Sequence, residues 1–325
     1  MTPEFSTVAN GEIALNVAMH GDGPLILCIH GWPELWYSWR HQMEFFSKHG
    51  YRVAAMDVRG YGGSSKPHEV AAYTLTELCG DAAAVIDELS DGPAIVFGHD
   101  WGAPIAWNTA RLHPDKVRAV AGLSVPYIPV GPGDMLDHWR NLYTERGKFF
   151  YQVYFADNEG AAEAALEKDN LASIRKIYFA LSGETRGAPF LMDKPADLGL
   201  LDELVDPESF PGWATETDLQ VYADAMEAGG WRGALHRYRA QSLDAIEMGG
   251  LPDPNIKQPA VFIGGEFDIV RHFNPGVDVF AFAAMACDDY RGTTIVDDAG
   301  HWIQQEAASA TNAALLAFLE SLKRH

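Results

Sequence analysis

The chain has 325 residues, enough for two domains or for one α/β core carrying an insertion. Apolar residues make up 47% and charged residues 21%, an ordinary globular composition. The net charge of −21, from 24 basic and 45 acidic residues, would repel a phosphate backbone, which argues against nucleic-acid binding.

The N-terminal stretch alternates like β structure over Phe5–Ala9 and Glu12–Met19, with the hairpin signal Asn10-Gly11 between. No basic region followed by an apolar run precedes it, so no secretion signal is expected. The longest apolar runs, such as Leu25–Ile29, fall far short of the roughly 20 residues that cross a bilayer. Cys28, Cys79 and Cys287 are scattered and odd in number, which suits free thiols in a reducing compartment. The expectation is a cytoplasmic protein without a membrane anchor.

From residue 25 onward, short apolar runs alternate with helical patterns. The runs are Leu25–Ile29, Val53–Asp57, Ala94–Phe97, Val117–Leu123, Ala260–Ile263 and Thr293–Val296. Their continuous apolar character suits strands buried on both faces of a parallel sheet. Leu75–Leu89 and Ala103–Leu112 show helical spacing. This alternation predicts a doubly wound α/β fold. It breaks between residues 127 and 252, where only helical patterns occur: Trp139–Phe155, Ala161–Ser182 and Asp218–Ala228. The chain is therefore divided into a core, residues 1–126 and 253–325, and an inserted helical cap, residues 127–252. A last helix is expected over Ile303–Leu322.

The chemistry gathers where strands end. Gly98-His99-Asp100-Trp101-Gly102 follows one strand and opens a helix. This is the setting of the nucleophile elbow G-x-S-x-G, with Asp in the place of Ser. The exchange matters. A serine that attacks a saturated carbon forms an ether, which water does not readily cleave. A carboxylate forms an ester, whose carbonyl carbon water can attack. An Asp nucleophile thus suits epoxide opening or halide displacement. An Asp at a helix start is also a common N-cap, so Asp100 alone decides nothing.

Its partners come later in the chain. His301, in Asp297-Asp298-Ala299-Gly300-His301-Trp302, stands where the order nucleophile, acid, histidine requires a water-activating base. Asp268, in Gly264-Gly265-Glu266-Phe267-Asp268, can hold the other ring nitrogen and stabilise the imidazolium. Glu266, Asp297 and Asp298 are its rivals. His30-Gly31-Trp32-Pro33 follows the Leu25–Ile29 strand, and the amides of Trp32 and Trp101 are candidate oxyanion donors.

Together these segments resemble the epoxide hydrolases of the α/β-hydrolase superfamily, of the soluble epoxide hydrolase type. His30–Pro33 looks like the family's H-G-x-P motif. Glu34–Gln42, Asp57-Val58-Arg59-Gly60-Tyr61-Gly62, Gly98–Gly102 and Gly300–Glu306 also match. The resemblance implies an α/β-hydrolase fold with a helical cap, hydrolysis of an epoxide to a diol, and no metal or organic cofactor. It implies two cap tyrosines that polarise the epoxide oxygen. Tyr151, in Tyr151-Gln152-Val153-Tyr154-Phe155, matches the first. The second usually lies in Trp-Tyr-Arg. Here Tyr238 precedes Arg239, but Arg237 replaces the Trp, so Tyr222 and Tyr154 remain alternatives. Trp32, Pro33, Trp101, Gln152 and Trp302 are expected to contact a small apolar substrate. A homodimer is compatible with all of this and required by none of it. The competing readings are a haloalkane or haloacid dehalogenase, which shares the Asp and His but usually carries Asn where Trp32 stands, and a ligand-binding protein that has lost turnover.

Overall fold

A computed structural model describes residues 2–187 and 194–323. Eight strands form one sheet: β1 (Glu4–Asn10), β2 (Ile13–His20), β3 (Leu25–Ile29), β4 (Arg52–Met56), β5 (Ala94–His99), β6 (Val117–Leu123), β7 (Ile256–Gly265) and β8 (Cys287–Val296). Their spatial order is β1-β2-β4-β3-β5-β6-β7-β8. β1 and β2 pair antiparallel, as do β2 and β4, and every later pair is parallel. Asn10 pairs with Ile13, so the hairpin loop is Gly11-Glu12, one residue beyond the expected pair.

Among the described residues, twelve α-helices accompany the strands. α1 (Arg40–Ser47), α2 (Leu75–Leu89), α3 (Gly102–Leu112), α11 (Ile303–Glu306) and α12 (Ala308–Ser321) belong to the strand–helix alternation. Seven more lie between β6 and β7: α4 (Met135–Leu142), α5 (Tyr151–Asp157), α6 (Ala161–Glu167), α7 (Asn170–Ala180), α8 (Glu216–Gly229), α9 (Arg232–Arg239) and α10 (Gln241–Met248). No strand occurs among the described residues of 127–252; residues 188–193 of that stretch lie outside the description.

The central strands are buried on both faces because their side chains alternate between two cores. Leu27, Ile29 and Val96 face Val85, Ile86 and Trp107 of α2 and α3. Ile26, Cys28, Ile95 and Phe97 face Met43 and Phe46 of α1 and Leu315, Phe318 and Leu319 of α12. Three expected helices prove to be broken. The one over Trp139–Phe155 stops at Leu142 and restarts at Tyr151, with Gly147 left-handed between. The one over Ala161–Ser182 divides at Asp169, whose carboxylate accepts from the Ala172 amide and starts α7. The last divides at Ala307. β8 is longer than expected because its first residues are half-exposed edge residues without an apolar run.

Candidate active site

Asp100 sits at the turn between β5 and α3 with φ +50, a conformation uncommon for a residue with a side chain. The turn is closed too tightly for larger neighbours. A Cβ on Gly98 would lie 2.1 Å from the Gly102 carbonyl oxygen, and one on Gly102 would lie 2.0 Å from that of Ile29. The pair of glycines thus allows the sharp bend that presents Asp100 at the carboxyl edge of the sheet.

Two groups hold the Asp100 carboxylate, and the Trp101 amide follows it in the chain. The Trp32 amide donates to Oδ1 at 2.7 Å. His301 Nε2 lies 3.4 Å from Oδ2. The Trp101 amide stands at the first turn of α3, where helix N–H groups lack intrahelical acceptors. The far side of the imidazole belongs to Asp268: Nδ1 lies 3.0 and 3.1 Å from its two oxygens. Asp268 is fully buried, and its Oδ1 also accepts from the Val270 amide at 3.0 Å. The rivals point elsewhere. Glu266 accepts from the Asp298 amide, and the Asp298 side chain is largely exposed near Arg186.

This arrangement sets the charges. Burial works against ionising Asp100, but the hydrogen bond and charge of His301, the charge of His99 and the Trp32 amide together hold its carboxyl below the usual range. Burial alone would lower the His301 pKa; the Asp268 and Asp100 carboxylates outweigh it and raise it well above 6.5. His301 thus stands between two acids, both of which favour its protonated form.

The loop that carries His301 is clamped from several directions. His301 N donates to the Leu181 carbonyl at 2.8 Å, and its own carbonyl accepts from Ser124 Oγ at 2.8 Å and His99 Nε2 at 2.7 Å. Glu306 accepts from the amides of Gly300, Trp302 and Gly183 at 3.0, 2.9 and 2.8 Å. Glu34 joins this network, accepting from His99 Nδ1 at 2.6 Å, the Gly31 amide at 3.0 Å and Gln304 Nε2 at 2.8 Å. Sequence reasoning passed over Glu34, His99, Ser124 and Glu306. Three of these lie inside the quoted motifs, which was the available signal. Ser124, just after β6, is a buried donor to the histidine loop.

Tyr151 and Tyr238 pack edge to face, with ring centroids 5.6 Å apart. Tyr238 also meets the Trp101 ring at 5.5 Å. Gln152 Nε2 donates to the Tyr151 hydroxyl at 3.0 Å, which leaves the hydroxyl proton free. Burial, with the charge of Asp100 nearby, pushes both phenols far up, so both stay protonated at neutral pH. Tyr222 bonds instead to Ser38 and Gln305, and Tyr154 packs half-buried against Phe149 and Phe155.

Asp100, Trp101, Tyr151 and Gln152 line a cavity of about 220 Å³. Pro104, Trp107, Val125, Ile128, Trp139 and Phe273 give it an apolar wall. Four residues expected to meet the substrate, Tyr238, Trp32, Pro33 and Trp302, lie outside this lining, Tyr238 packing behind Tyr151 and Trp101. The Trp32 ring is held within Phe155, Trp231 and Tyr238. Trp302 stacks on Tyr178 at 4.3 Å and donates to the Tyr178 carbonyl. The Pro33 carbonyl accepts from the Tyr178 hydroxyl at 3.2 Å. These two join the helical segment to the core rather than meeting the cavity. Arg237, the departure from the usual Trp, lies over the Trp101 ring at 4.7 Å. It pairs with buried Asp244 and donates to the Tyr73 carbonyl, while Asp244 accepts from the Leu75 amide at 2.7 Å.

A sheet of this order with an Asp-bearing elbow, an acid after β7 and a histidine after β8 defines an α/β-hydrolase. The chain matches the alpha/beta hydrolase fold family over residues 24–308. Epoxide hydrolase B of Mycobacterium tuberculosis is 37% identical, over 93% of this chain and 92% of the relative. Epoxide hydrolase A of the same organism is 35% identical, over 99% and 98%. The solved structure of an epoxide hydrolase from an endophytic Streptomyces superposes with a TM-score of 0.93 at 35% identity, covering 99% of this chain and 97% of the other. The protein belongs to the epoxide hydrolases of the α/β-hydrolase fold.

Proposed function

We propose that this chain hydrolyses an epoxide to a vicinal diol through an ester on Asp100, within a core closed by residues 127–252 as a cap. The observation that carries this reading is the Asp100 carboxylate between the Trp32 amide, His301 and the cavity that Tyr151 lines. Tyr151 and Tyr238 hydrogen-bond the epoxide oxygen as charge develops on it. Oδ1 is already held by the Trp32 amide, so Oδ2 attacks a ring carbon from the side opposite the tyrosines. The ring C–O bond breaks, a tyrosine proton is taken up by the new alkoxide, and a hydroxyalkyl ester remains.

Ester formation removes the negative charge of Asp100. One of the two carboxylates that raise the His301 pKa is then gone, so the imidazolium gives up its proton, which returns through water to the tyrosinate, and the neutral imidazole becomes a base. His301, held by Asp268, takes a proton from water, which attacks the ester carbonyl. The resulting oxyanion is the old Oδ1, already at the Trp32 amide, and the Trp101 amide serves as its second donor in this scheme. Losing one such donor typically costs about 100- to 1000-fold in rate. Collapse releases the diol and restores Asp100. The residues supply every proton transfer in this scheme. No helix among the described residues is long and apolar enough to cross a membrane. The three free thiols fit a cytoplasmic setting.

The test is diol formation from a panel of aryl and alkyl epoxides, with wild type beside Asp100→Ala. Diol from wild type and none from the variant is the expected result. Halide release from haloalkanes without diol formation would replace this reading with the dehalogenase one, which the named relatives do not favour.

A further inference from the structure

The epoxide-binding cavity extends away from Asp100 along α3, and its polar groups there share one character. Asn108 lies six residues beyond Gly102, the first residue of α3, which at 1.5 Å per residue places it about 9 Å along the helix. It is 2% exposed and lines the cavity. Its Nδ2 donates to the Pro104 carbonyl at 2.8 Å. A carbonyl only accepts, so this bond fixes which end of the amide is which. Oδ1 is left buried without a donor. Gln241 repeats the pattern: Nε2 donates to the Tyr238 carbonyl at 3.1 Å, which leaves Oε1 for the cavity. One turn further along α10, the Asp244 carboxylate also lines the cavity. It accepts from the Leu75 amide and from Arg237, and a carboxylate has room for about four donors.

This arm of the cavity therefore offers acceptors whose matching donors are tied to backbone carbonyls. Gln152 and Asn274, also in the lining, are engaged instead with Tyr151 and His138. A buried acceptor without a donor is costly, and a ligand that brings a donor relieves that cost. The charge of Asp244 is already neutralised by Arg237 within the fold. A cation entering here would meet no net negative charge, whereas a neutral hydroxyl would be satisfied.

We infer that this protein selects epoxides that carry a hydroxyl at the end remote from the ring, recognised by Asn108, Gln241 and Asp244. The inference rests on the proposed epoxide hydrolysis. It deepens that reading by naming a substrate class: largely apolar, neutral epoxides with a hydrogen-bond donor remote from the reacting carbon.

The experiment compares three terminal epoxides whose straight chains span about 9 Å, the rise along α3 from Gly102 to Asn108, and end in a hydroxyl, a methyl ether or a methyl group. The ether matches the hydroxyl in polarity but cannot donate. In wild type, kcat/KM for the hydroxyl substrate should exceed that for the ether roughly 10-fold, the scale of one hydrogen bond to a buried acceptor. Asn108→Leu and Gln241→Met should each shrink that ratio, and Asn108→Asp, which keeps an acceptor, should preserve it. Equal turnover of hydroxyl and ether by wild type would overturn the inference, even were the variants to misfold. So would a ratio that survives in the Asn108→Leu, Gln241→Met double variant. Absence of diol from all three substrates would instead refute the hydrolase reading, and this inference with it.

Discussion

Replacing Asp268 with Asn removes one negative charge and reverses one hydrogen bond at the imidazole. The two Asp268 oxygens lie 3.0 and 3.1 Å from His301 Nδ1. At an effective dielectric near 20, a unit charge pair about 3 Å apart is worth about 5 kcal/mol. That is an upper bound on the stabilisation of the imidazolium formed when His301 takes a proton from water, and corresponds to roughly 10³- to 10⁴-fold in rate. The amide brings a second penalty of the same sign. Its NH₂ favours the tautomer with Nε2 protonated, which cannot accept water's proton. Both effects fall on ester hydrolysis. Ester formation needs only the Asp100 carboxylate and the tyrosine donors. The variant should therefore accumulate the ester while steady-state diol formation drops by about 10³-fold or more. Rapid mixing with substrate followed by intact-mass analysis would show the protein gaining the mass of one epoxide. Diol formation reduced less than about 10-fold would refute the reasoning. So would a large reduction with no adduct, which would place Asp268 in the first chemical step.

Other outcomes follow from the same geometry. Tyr151→Phe and Tyr238→Phe should each slow ester formation by roughly 10- to 100-fold, the worth of a hydrogen bond to a developing charge. Single-turnover rates check this, and a variant that slows only ester hydrolysis would contradict the assignment. The Asp100 carboxyl is held below its ordinary range, so the reactive carboxylate is present above that lowered pKa and lost only as pH falls through it. Ester formation should be flat from about pH 5 to 8, and a steady decline from pH 8 to 5 would count against the ion-pair picture. Burial raises the Glu306 pKa to about 7, despite the three amides it accepts from. A raised acid favours folding most when protonated in both states, so this contribution is present below the ordinary value of 4.5 and is lost as pH rises through about 7. Glu306→Gln, whose amide does not titrate, should melt below wild type, and the gap should narrow from pH 5 to pH 8. A gap independent of pH would refute the titration.

The parts of the fold written in local patterns were legible. Leu25–Ile29 and Val117–Leu123 match their strands end to end, because burial on both faces leaves a continuous apolar run. Asp100 and His301 were found through the strand ends that precede them. Asp268 was preferred over Glu266 by its distance into the loop, and the structure brings Asp268 to the imidazole. What escaped was set by tertiary contact. The break at Ala307 and the half-exposed start of β8 carry no sharp sequence mark. The cavity wall is assembled from α3, the segment after β6 and α10, which no periodicity links. Trp32 and Trp302 were assigned to the substrate because they are aromatic and close to motifs; packing turns both rings into structure. Arg237 weakened the case for Tyr238 on pattern alone. In three dimensions it lies on the face of Trp101 beside that tyrosine.

Arg237 and Asp244 have a consequence for traffic. Both belong to the segment proposed as a cap, yet they bond to the backbone of Tyr73 and Leu75 in the proposed core. On the opposite side, Tyr178 of the cap stacks on Trp302 and reaches the Pro33 carbonyl. Raising the cap like a hinged cover would strand a guanidinium and a carboxylate at once, at a cost of several kcal/mol. Ile128 and Met135 stand half-exposed at the edge of the same cavity, so a route that leaves those bonds intact would run sideways past them. A roof bolted on both sides would make the way to the reacting carboxylate a corridor.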